Sequence, residues 1–61
     1  MEKSLHRFTL NKNKASMFKE YCRDMHILFE RIECCDKTHF ICLVSESEIN
    51  NANAFIVERC M

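Results

Sequence analysis

No glycine and no proline occur anywhere in this 61-residue chain. Glycine enters left-handed backbone at no steric cost, and proline pre-sets the first turn dihedral. Without them, each reversal must be made from Asn, Asp, Ser or Lys. A chain built this way is expected to have few turns and to be compact.

Its length allows one domain, residues 1–61, with a thin margin of stability. A chain of about 60 residues buries only ~60% of its unfolded surface. A hydrophobic fraction of 48% with 30% charged residues is that of a globular chain, not a disordered one. Small domains often gain stability from disulfides, metal or oligomerisation. Five cysteines (Cys22, Cys34, Cys35, Cys42 and Cys60) therefore raise the question of a stapled, secreted scaffold. The odd count argues against one. Met1 to Leu10 contains no apolar run suited to a signal peptide. The apolar residues already follow helix and strand periods, so a core exists without staples. The expectation is a reduced, cytoplasmic protein, with the starting Met marking a whole product. No apolar stretch approaches the ~20 residues of a membrane span, so no membrane partner is expected.

The periodicity gives the order strand, helix, strand, strand, helix. Leu5 to Leu10 alternates, with His6, Phe8 and Leu10 on one face and Leu5, Arg7 and Thr9 on the other. The Asn11–Lys14 segment breaks this strand, and Asn11 or Asn13 is placed to cap a helix. From Lys14 to about His26, Ala15, Phe18, Cys22 and Met25 form an amphipathic stripe, widened by Met17 and Tyr21. Ile27 to Cys35 reads as the second strand. Thr38 to Val44, apolar on both faces in its middle, reads as the central one. Cys35-Asp36-Lys37 makes the hairpin connection. Ser45 with Glu48 is a capping box, and Ile49, Ala52, Phe55, Ile56 and Cys60 form the buried stripe of a second helix running to the C-terminus.

A right-handed crossover makes the first and second strands parallel, and the hairpin makes the third antiparallel to its neighbour. The predicted fold is a small α+β domain with a three-stranded, mostly antiparallel sheet in order 1-3-2 and both helices on one face. This resembles, in architecture alone, a ferredoxin-like unit lacking its last strand. The first strand is then an open edge, and one sheet face is uncovered, lined by residues such as Leu5, Ile41 and Leu43. Open edges and bare apolar faces usually mark interfaces. Pairing of first strands about a two-fold axis would give a six-stranded homodimer.

Charge is balanced overall but unevenly distributed. Residues 1–19 hold Lys3, Arg7, Lys12, Lys14 and Lys19 against Glu2 alone, and the rest of the chain is acidic to the same extent. Lys12, Lys14 and Lys19 are the candidate phosphate contacts of a nucleic-acid binder, with Tyr21 or Phe8 available for stacking. A pI near 6.8 lacks the basic excess such a binder carries. In the second half, Glu30, Glu33, Asp36, Glu46 and Glu48 suit a basic partner surface.

Thiol and imidazole groups offer the remaining chemistry. Cys22 and His26 are spaced i, i+4, and with Cys35 and His39 they make a conceivable zinc set. No Cys-x-x-Cys pair supports it, and neighbouring Cys34 and Cys35 point to opposite sides of a strand. Cys22, Cys42 and Cys60 fall on apolar stripes and read as core residues. Cys35, near Asp36 or His39, is the one candidate for a reactive thiol. No catalytic motif and no cofactor site is apparent. The reading is a small non-enzymatic regulator or inhibitor, of the kind made by bacteria, phages and mobile elements. It would bind another protein through Lys3, Arg7, Thr9, Glu30, Glu33 and Asp36, with a nucleic-acid-binding regulator or a cysteine-based zinc or redox module as alternatives.

Overall fold

In the computed structural model, which describes residues 2–60, β1 (Ser4–Asn11) leads through a single 3-10 turn (Lys12–Lys14) into α1 (Ala15–Asp24). There follow β2 (Leu28–Glu33), β3 (Lys37–Val44) and α2 (Glu46–Arg59). The sheet order is β1-β3-β2, with β3 antiparallel to both neighbours. This is the expected α+β arrangement, a ferredoxin-like unit without its last strand.

One face of the sheet carries the core. Alternation along β3 turns Thr38, Phe40, Cys42 and Val44 inward, all with no exposed surface. Phe8 and Leu10 of β1 join them. Both helices pack on this side, and Phe18 of α1 is where they meet. Its ring lies 5.3 Å from Phe8, 5.1 Å from Phe40 and 6.3 Å from Phe55 of α2, measured between centroids. Burying such a ring is worth about 1.5–3 kcal/mol. Ala15 and Ala52 are also fully buried, and small side chains of this kind let the helices approach the sheet closely.

Local chemistry explains most of the boundaries. The Ser45 backbone N–H donates to Glu48 Oε1 at 2.8 Å, and Glu48 N–H donates to Ser45 Oγ at 3.4 Å. This reciprocal capping box starts α2 where expected. Glu46 and Glu48 in its first turn also oppose the positive end of the helix dipole. Ala52 and Cys60 of the predicted stripe are buried, while Ile49, Phe55 and Ile56 are half-covered. Met61 lies outside the described residues.

The first helix differs from expectation at both ends. Asn11 extends β1, opposite Lys37, whose ammonium it accepts at 2.7 Å. Neither Asn11 nor Asn13 caps α1. The cap position is held by Lys14, with no side-chain hydrogen bond, after the 3-10 turn. At the other end the helix stops at Asp24, not His26. His26 takes φ 56°, the left-handed conformation that usually selects glycine. Its N–H donates to the Arg23 carbonyl and the N–H of buried Ile27 to the Cys22 carbonyl, at 3.2 and 2.8 Å. These two bonds make a Schellman closure, with His26 doing the work of the missing glycine. Met25 is consequently the C-cap and half-exposed rather than part of the buried stripe.

The hairpin turns through residues 34–36, closed by a 2.9 Å bond from Cys34 N–H to the Lys37 carbonyl. No helix among the described residues is long and apolar enough to cross a membrane.

Candidate protein-binding surface

The register of the three strands defines what the uncovered face displays. Residues directly opposite one another across a β-ladder share a face. Leu5, Leu43 and Leu28 form one row across the sheet. Arg7, Ile41 and Glu30 form the next, and Thr9, His39 and Ile32 the third. Leu28 is 73% exposed, Leu5 70% and Ile32 50%. Leu5, Leu28, Ile41 and Leu43 line a shallow depression at the leucine end. Towards the other end the face becomes polar, where Thr9 Oγ1 and His39 Nδ1 lie 2.9 Å apart in a hydrogen bond.

Leu5, Ile41 and Leu43 were expected here. Leu28 and Ile32 were not recognisable in advance. Their strand reads Leu-Phe-Glu-Arg-Ile-Glu and carries both charge and apolar groups on each side. The helices cover only part of this edge strand, so Arg31 and Glu33 can occupy the core side near its end, 3.4 Å apart as an ion pair.

Of the six residues expected to bind protein, Arg7, Thr9 and Glu30 share the bare face. Arg7 and Glu30 form no ion pair among the described residues. The other three lie elsewhere. Lys3 precedes β1 and turns to Glu48 on the helical side, 3.5 Å away. Glu33 faces Lys12 at 3.5 Å as well as Arg31. Asp36 sits in the hairpin loop, where its carbonyl accepts the Lys12 N–H at 3.0 Å. Along its outer side, β1 has no partner strand among the described residues.

The candidate nucleic-acid lysines stand in different surroundings, and the candidate metal residues are not brought together. Lys12 is paired with Glu33, Lys14 is half-buried near Cys60, and Lys19 is exposed on α1. Cys22 points into the core beside Cys42, whereas His39 stands on the opposite sheet face. Cys35 is exposed in the hairpin loop, and His26 lies at the end of α1. Among the described residues, no three His, Cys, Asp or Glu side chains converge as metal ligands.

Cys22, Cys42 and Cys60 are buried, as expected of core residues, while Cys34 and Cys35 are exposed. The Cys22 thiol is pushed well above its ordinary range, first by its hydrogen bond with Cys42 and then by burial. The same bond draws Cys42 downward against its own burial. Burial likewise raises the Cys60 thiol and, on the packed face of α1, the Tyr21 hydroxyl. These groups are structural in their surroundings. Tyr21 stacks on Phe55 with ring centroids 4.5 Å apart.

Compared with protein-family models, curated proteins and solved structures, the chain matches none.

Proposed function

We propose that this chain is a non-enzymatic regulator that works by binding protein on its uncovered sheet, using the bare face and the free β1 edge beside it. The exposure of Leu5, Leu28 and Ile32 as one surface carries the reading. An apolar patch rimmed by polar groups is the usual form of an interface. The β1 edge adds a second means of attachment. It presents eight residues of extended backbone on the side where a ferredoxin-like unit has its fourth strand. A peptide strand from a partner can pair there through main-chain hydrogen bonds.

The test is capture of partners by immobilised wild-type chain, compared with Leu28→Asp on the bare face and Glu20→Lys on exposed α1. The expected result is one or more proteins held by wild type and Glu20→Lys and lost with Leu28→Asp. Identical capture by all three would remove the face from the function.

A further inference from the structure

The charges on the bare face are arranged so that the face complements itself. We propose that it is a self-association surface, on which a second copy of this chain packs face to face about a two-fold axis running along β3. This rests on reading the face as a binding surface and identifies what covers it.

The argument is one of placement. Arg7 and Glu30 flank Ile41 in the middle row, one on each outer strand, about 10 Å apart at the backbone. A two-fold axis parallel to β3 exchanges the two sides of the sheet and leaves the rows in place. Arg7 of each copy then lies over Glu30 of the other, making two ion pairs by symmetry. The leucine row packs on the leucine row, with Leu5 against Leu28. An axis across the strands instead opposes Arg7 to Arg7 and Glu30 to Glu30, and sets leucines on Thr9 and His39. The face is thus compatible with one two-fold arrangement and opposed to the other. Packed sheets cross at about 30°, which displaces groups 5 Å from the axis by roughly 2.5 Å, within reach of the Arg and Glu side chains. Nine residues a side is fewer than the ~20–30 of a standard interface, so dissociation constants on the order of 10 μM or weaker are expected. Both β1 edges remain on the outside of such a dimer, open to another protein.

Sedimentation or native mass spectrometry of full-length chains tests this through charge reversal. Wild type should dimerise. Arg7→Glu and Glu30→Arg should each weaken the dimer at least tenfold, because each places like charges over each other twice. Mixed in equal amounts, the two variants should recover association as a heterodimer, and the double variant R7E/E30R should self-associate like wild type. Recovery cannot arise from variants that fail to fold. A dimer unaffected by the single reversals, or single variants that do not recover on mixing, overturns the proposal and points to pairing of β1 edges. A chain monomeric to about 1 mM also overturns it. In that case, loss of partner capture by Leu28→Asp would leave the binding-surface reading standing, and unchanged capture would remove both.

Discussion

The two faces of one three-stranded sheet have opposite fates. On the helical side, Phe40, Cys42 and Val44 are completely buried and Phe18 ties the layers together. On the other side, the same central strand shows His39, Ile41 and Leu43 to a surface that no element among the described residues covers, flanked by leucines more than two-thirds exposed. The apolar character of β3 on both sides is therefore explained on one side by folding. On the other we attribute it to the proposed binding surface. On the proposed reading, stability and binding are divided between the faces, and substitutions should separate them.

Phe18→Ala should have the largest effect. Removing a buried aromatic ring costs about 3–5 kcal/mol, comparable with the whole stability of a domain this small, so the variant should be largely unfolded by circular dichroism. Leu28→Ser, in dilute monomer, should change stability by no more than about 0.5 kcal/mol. Similar losses from both would erase the contrast between the faces.

Thiol labelling divides the molecule in the same way. Cys34 and Cys35 should react freely in the native state, with Cys22, Cys42 and Cys60 slower by about 100-fold or more until the chain unfolds. Rapid native labelling of Cys22 would show that the helical face opens readily.

A smaller effect of opposite sign is expected at Thr38. Its Oγ1 is buried with no hydrogen-bond partner among the described residues. Thr38→Val should stabilise the chain by about 1 kcal/mol in urea unfolding, because it removes an unsatisfied hydroxyl. At His26, glycine should relieve the left-handed strain of about 1–2 kcal/mol while adding entropy to the unfolded chain, for a net gain of ~0.5 kcal/mol. A destabilised His26→Gly would mean that the imidazole contributes more than its backbone conformation.

The smallest effect is pH-dependent. The backbone hydrogen bond from Ser45 holds the Glu48 carboxyl below its ordinary value, with Lys3 adding to the shift. Since the folded pKa is the lower one, the associated stability is complete above the unfolded value of ~4.3. It is lost as pH falls through the folded one. Melting temperatures of wild type and Glu48→Gln should differ near pH 6, and the difference should shrink as the pH falls below ~4.3. Parallel curves would show that the capping carboxylate adds nothing as an anion.

What could be read in the sequence follows from where local signals and packing agree. Strand directions came from two rules, the right-handed crossover and the hairpin, the central place of β3 came from its apolar character on both faces, and the Ser45–Glu48 box announced α2 because both of its members are local. The end of α1 was hidden because its stop signal is a histidine in a position where glycine would have been recognised. The Asn11 cap failed because that residue pairs with Lys37, 26 positions away, and tertiary pairing outweighs capping preference. The β1 and β3 share of the bare face was legible. The β2 share was not, since an edge strand only partly covered on its core side, where Phe29 packs on Phe40 but Arg31 and Glu33 follow, alternates without a hydrophobic signature.

The register has a consequence for the order of assembly. The β2–β3 hairpin closes a three-residue loop, but β1 meets β3 across separations of 26 to 40 residues. Loop-closure entropy favours the hairpin as the early structure and the docking of β1 as a late one. With no proline in the chain, prolyl isomerisation adds no slow phase. Arrival of β1 completes the core with Phe8 and Leu10, and in the same movement sets Leu5 beside Leu43 and Arg7 beside Ile41. The bare face comes into being only with the last long-range pairing, so a partner of the proposed kind would select chains that have finished folding.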